Sequence, residues 1–83
     1  MENIHMQFEI IIKDETEQTI DTFTVESSSN LMALLEGQKV FLSRHPEYEM
    51  KGSGMWIGND TYKRDLTVEF DNIEIDFTIE IGK

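Results

Sequence analysis

NLMALLEGQKVFLSR, residues 30–44, is the only stretch of the chain that reads as a helix. Leu31, Leu34, Leu35, Phe41 and Leu42 recur at helical spacing, with Gln38 as the one polar interruption. Both ends are marked. Ser27, Ser28 and Ser29 are candidate N-caps, because a short hydroxyl side chain accepts a hydrogen bond from a first-turn N–H. Arg44 and His45 suit the last turn, where cations complement the free carbonyls. Pro46 then disfavours helical geometry at His45 and stops the helix. Ala33 and Gly37, four apart, leave a smooth strip that reads as close packing of helix on sheet; docking of a partner helix is the second reading. Gly37 costs the helix about 1 kcal/mol relative to alanine, so a packing reason is expected.

Outward from the helix, the chain alternates apolar and polar residues with period two. Ile4, Met6, Phe8, Ile10 and Ile12 define a strand with one face on a core. Ile10-Ile11-Ile12 is apolar on both sides and points to an interior strand. Asp14-Glu15-Thr16-Glu17 turns the chain, and Thr19 to Val25 returns as a second strand. A hairpin centred on Glu15-Thr16 sets Phe8 opposite Phe23, Met6 opposite Val25 and Ile11 opposite Ile20. It also puts Asp21 on the core face opposite Ile10, which places that pair near the sheet margin. After the helix, Glu47 to Met50 reads as a short strand interrupted by Gly52-Ser53-Gly54, which suggest a loop or bulge. Met55-Trp56-Ile57 resumes, Gly58-Asn59-Asp60 turns, and Thr61 onward runs back. The last hairpin is the best defined. Leu66, Val68 and Phe70 alternate, Asp71-Asn72 is a tight turn, and Ile73, Ile75, Phe77, Ile79 and Ile81 alternate again. Phe70 then faces Ile73, Val68 faces Ile75 and Leu66 faces Phe77, with every apolar residue on one side.

The expected architecture is α+β: a single helix on a mixed or antiparallel sheet of four or five strands, as one domain over residues 1–83. The order of two strands, a helix and two or three strands resembles the layout of the β-grasp (ubiquitin-like) folds. That resemblance implies a last strand, Ile73 to Ile81, parallel to Ile4 to Lys13, which the handedness rule for crossovers permits. A plain antiparallel sheet with one helix is the alternative. The chain ends Ile81-Gly82-Lys83 without a diglycine tail, so nothing suggests conjugation to other proteins.

Composition narrows function by exclusion. The absence of cysteine removes disulfides, thiolate metal sites and cysteine nucleophiles. No apolar run approaches the ~20 residues of a membrane span, and no signal peptide is apparent; cytoplasmic location is the default expectation. His5 starts a strand and His45 ends a helix, and neither has a catalytic neighbourhood in the sequence. Gly52-Ser53-Gly54 lacks the lysine and helix of a phosphate loop. Neither Asp14-Glu15-Thr16-Glu17 nor Asp71-Asn72-Ile73-Glu74 has the oxygen pattern of a calcium loop. The expectation is a non-enzyme without metal or cofactor.

Charge is the unusual property. Seventeen acids against seven bases leave a formal net charge of -10. Such a field repels nucleic acid and anionic lipid and attracts basic surfaces. In the last hairpin Asp65, Glu69, Glu74, Asp76 and Glu80 share the solvent face, with Lys63 opposite Glu80 and Glu69 directly opposite Glu74. Alternate residues of a strand stand about 6.6–6.8 Å apart, an interval that resembles the spacing of phosphates along a nucleic-acid strand. Trp56, between glycines, is a candidate partner anchor if it faces outward with Lys63, or it tucks into the core edge. Ile11 and Ile20 are either covered by a loop or form an apolar patch for self-association.

Two functions from different classes follow. The first is a small acidic interaction protein that binds a basic protein surface, such as a nucleic-acid-binding protein, as a nucleic-acid-mimicking inhibitor encoded by a phage or mobile element. It would bind no nucleic acid itself and act as a monomer or homodimer. The second is an assembly subunit that self-associates through an apolar sheet face or edge. Salt separates them: decoy binding weakens as salt rises, whereas apolar association persists or strengthens.

Overall fold

The structure is a computed structural model and describes residues 5–51 and 62–82. Its elements are β1 (Met6–Lys13), β2 (Thr19–Ser27), α1 (Asn30–Arg44), β3 (Glu49–Met50), β4 (Lys63–Phe70) and β5 (Ile73–Ile81). The five strands form one sheet in the order β2-β1-β5-β4-β3, every pairing antiparallel, with α1 across one face. The fold is the expected α+β layout, and β1 is an interior strand as its apolar run implies.

The return of the last strand differs from the β-grasp implication. β5 lies beside β1 but runs antiparallel to it, with Ile10 opposite Ile81 and Ile12 opposite Ile79. That pairing keeps the apolar residues of β5 on the core face beside those of β1. Among the described residues, the two-residue β3 pairs antiparallel with β4 through Glu49–Glu69 and Met50–Val68. β2 and β3 thus occupy opposite edges, and α1 carries the chain over the strands between them.

The helix ends follow from the flanking residues. Ser29 is the N-cap: its extended backbone (φ -157°, ψ 165°) lets its Oγ accept from the Met32 N–H at 3.2 Å. Ser27 belongs to β2 instead. His45 leaves helical geometry, and its N–H donates to the Phe41 carbonyl at 3.0 Å just before Pro46. The buried strip is Ala33, Leu34, Gly37, Gln38 and Phe41, while Leu31 is exposed and Leu35 and Leu42 are half-buried. The smooth positions therefore set the docking face. A Cβ on Gly37 would stand 2.9 Å from Ile10 Cγ2, so the glycine admits the helix to the sheet.

The core joins Ala33, Leu34 and Phe41 to Ile10, Ile12, Val25, Leu66, Val68, Phe77 and Ile79. Fully burying one such side chain stabilises by about 1.5–3 kcal/mol. Phe41 meets Phe77 edge-on at 5.2 Å, and Tyr48 covers that end of the core, 5.5 Å from Phe77. Arg64 is the buried cation of the core face, where it stands opposite Ile79, and burial lowers its proton affinity. Its place on that face was legible in the alternation of β4; its burial was not.

The two long hairpins differ in their turns. In β4–β5, Asp71 and Asn72 both adopt positive φ (53° and 65°), the two-residue turn whose twist matches paired strands. The expected register holds throughout: Leu66–Phe77, Val68–Ile75, Phe70–Ile73, Glu69–Glu74 and Lys63–Glu80. In β1–β2 the register is two residues away from the expected one. Phe8 faces Val25, Met6 faces Ser27, Ile11 faces Thr22, and Asp21 faces Ile12.

Two one-residue insertions cause that offset. Asp14 N–H donates to the Gln18 carbonyl at 3.0 Å, and Glu17 N–H to the Asp14 carbonyl at 3.0 Å, which makes a three-residue loop closed by Glu17 at φ 64°. The Asp14 carboxylate holds it, accepting from Thr16 N–H (2.8 Å), Thr16 Oγ–H (2.7 Å) and Gln18 N–H (3.0 Å). A bulge then falls where Lys13 faces Thr19 but Ile12 faces Asp21, so Ile20 is the extra residue. Two slips of one restore the facing of every side chain, which keeps Phe23 and Val25 on the core side.

Candidate acidic interface

The side chains alternating with the core make the outer face of the sheet. Pairing brings Glu49 of β3, Glu69 of β4 and Glu74 of β5 into one row across three strands. Directly opposed side chains lie about 4.5–5.5 Å apart at Cβ, so this row carries a repulsive cost. Lys51 relieves it at one point, with Nζ 3.2 Å from Glu69 Oε2. Glu74 is exposed and, among the described residues, has no cation within ion-pair distance.

Asp65 and Asp76 lie farther along the same face and are exposed. Asp76 Oδ1 accepts from Thr67 Oγ–H at 2.7 Å, a cross-strand bond that fixes its carboxylate. Its N–H, beyond the last residue of β5 that β1 reaches, donates to Glu15 Oε1 at 3.3 Å. The β1–β2 loop thus leans over the outer face of β4–β5. Between them lies a cleft of about 330 Å³ lined by Asp14, Glu15, Glu17, Asp65, Asp76 and two threonines, Thr67 and Thr78. Hydrogen bonds from Thr16 and Gln18 hold the Asp14 carboxyl below its ordinary 3.8, so it is charged there.

Glu80 has a different setting. Lys13 Nζ lies 2.7 Å from its Oε2 and Lys63 Nζ 3.8 Å from its Oε1, and the side chain is largely buried between them. Its hydrogen bond and charge hold the Lys13 ammonium above its ordinary 10.5. Of the residues expected to meet a partner, Asp65, Glu69, Glu74 and Asp76 stand together on one face. Glu80 shares that face but is neutralised by two lysines. Trp56 and the expected Met55–Ile57 hairpin lie outside the described residues. The sequence reading missed Glu49, Asp14, Glu15 and Glu17; the pairing of Glu49 with Glu69 and the lean of the loop are tertiary facts.

Ile11 and Ile20 are not opposite each other, since Ile11 faces Thr22. Ile11 is half-buried, its Cδ1 against Gly82, and Ile20 is exposed at the bulge. The histidines are held by carboxylates: His5 Nδ1 is 3.3 Å from Glu26 Oε1, and the His45 ring lies 3.6 Å from both Asp21 and Glu47 while stacked on Tyr48. Neither lines the acidic cleft. Among the described residues no group of three or more His, Asp or Glu is arranged to hold a metal, and no helix is long and apolar enough to cross a membrane.

Set against known protein families, curated proteins and solved structures, the chain matches none of them.

Proposed function

We propose that this chain is a small acidic interaction protein whose outer sheet face binds a basic macromolecular surface in place of a nucleic-acid strand. The observation that carries the reading is the grouping of charge. Glu49, Glu69, Glu74, Asp76, Asp65 and the loop acids Asp14, Glu15 and Glu17 adjoin one another, while Lys13 and Lys63 are drawn to Glu80. A row of opposed carboxylates costs stability. A surface serving only solubility gains nothing from setting them face to face.

Rigidity supports the same reading. The carboxylates stand on paired strands at the fixed intervals of a pleated sheet, so little ordering is required on binding, and electrostatic complementarity steers a basic partner to that face. The site contributes charge and position, and no side chain is assigned a reaction.

The test is affinity capture from native cell lysate at low salt, with the wild-type chain and with Glu69, Glu74 and Asp76 each changed to lysine. A basic nucleic-acid-binding protein retained by the wild type, displaced by DNA and lost with the variant supports the reading. Capture that survives the charge reversal contradicts it.

A further inference from the structure

We infer that two copies of this chain pair antiparallel through the free edge of β2, about a two-fold axis at Thr24, to make one ten-stranded sheet. The inference does not rest on the proposed function. The sheet has two edges of unequal character. Among the described residues, β3 offers two residues, Glu49–Met50, whereas β2 runs Thr19–Ser27 and bonds on one side only, to β1. After the bulge at Ile20, Asp21–Ser27 is a regular strand with no proline, glycine or lysine. A long regular edge without such blunting is a template for another strand.

A second copy is the occupant that fits. Centring the dyad on Thr24 uses the whole regular segment and keeps core face with core face. Thr24 then opposes Thr24 of the second copy, Thr22 opposes Glu26, Phe23 opposes Val25 and Asp21 opposes Ser27. No acid meets an acid. Threonine pairs and aromatic–β-branched pairs are among the favourable cross-strand combinations.

Charge selects the same edge. On a chain of net charge -10, a like-charged copy approaches most easily where acids are few or paired. Asp21 is paired with Arg44 at 3.4 Å, and Glu26 faces an uncharged threonine, Thr22, in the proposed pairing. The same Arg44 sits over the Phe23 ring at 5.3 Å, which keeps its cation beside the edge. Self-pairing uses the β2 edge of each copy and stops at two, since an isologous interface closes on itself.

Light scattering coupled to size exclusion on the full chain tests this. The wild type should show twice the 9.7 kDa chain mass, and added salt should favour the dimer by screening repulsion between copies. Thr22 and Thr24 are exposed, so the fold of each variant is checked by its melting temperature. Thr24→Glu should weaken the dimer at least tenfold, and mixing it with Thr24→Lys should restore a mixed dimer. Thr22→Lys, facing Glu26 of the other copy, should tighten it, and Thr22→Glu should loosen it. A mass of one chain at every concentration and salt would overturn the inference. So would a dimer indifferent to Thr24→Glu, or a mixture that fails to re-form one.

Discussion

The β1–β2 and β4–β5 hairpins are of similar length, yet one is regular and the other is not. β4–β5 closes with two residues in the left-handed region and stays in register from Lys63–Glu80 to Phe70–Ile73. β1–β2 closes with three residues and a bulge. The regular hairpin holds its carboxylates at even intervals. The irregular one turns its loop acids over that array and leaves Ile20 without an opposite residue. Regularity presents charge; irregularity adds to it from the side.

The largest effect separates the seam between the hairpins from their tips. Ile79 is fully buried and faces Ile12 on one side and Arg64 on the other. Ile79→Ala should cost about 2–5 kcal/mol in denaturant unfolding. Ile73→Ala, at a tip where the side chain is 62% exposed, should stay within about 0.5 kcal/mol. Equal costs would mean the hairpins do not share one core.

Next comes the loop of the irregular hairpin. Asp14→Ala removes three hydrogen bonds and should lower the melting temperature at neutral pH. Because the folded state depresses the Asp14 pKa, its contribution is present above the ordinary 3.8 and is lost as pH falls through the lower folded value. The gap between wild type and variant should therefore close in acid. A gap constant with pH would show that the carboxylate charge does not hold the loop.

A smaller effect has opposite signs for stability and binding. Glu74→Lys relieves the opposition to Glu69 and should raise stability by up to about 1 kcal/mol while weakening partner capture. A variant both more stable and equally well bound would detach function from this row. Smallest is Asn72→Gly, which relaxes a left-handed residue in the two-residue turn; a gain of a few tenths of a kcal/mol in thermal unfolding is expected.

The same contrast explains what could be read in the sequence. The β4–β5 register, the helix limits and the interior place of β1 follow from local pattern: alternation, a serine cap, Pro46, an Asp71-Asn72 turn. The β1–β2 register did not, because Glu17 in the left-handed region and the extra Ile20 leave no mark in apolar alternation when their slips cancel. The direction of β5 was not legible either, because its pairing with β1 is decided by tertiary contact. Glu69 opposite Glu74 was legible; Glu49 joining them was not, and neither was the neutralisation of Glu80 by Lys13 from another hairpin.

The most direct measurement is the affinity of the wild-type chain for its captured basic partner across a series of salt concentrations, beside the Glu69, Glu74 and Asp76 to lysine variant. A steep loss of affinity with salt for the wild type, and weak binding with a shallow slope for the variant, is the expected result. Affinity indifferent both to salt and to the three reversals would contradict the claim that the outer face works through its charge.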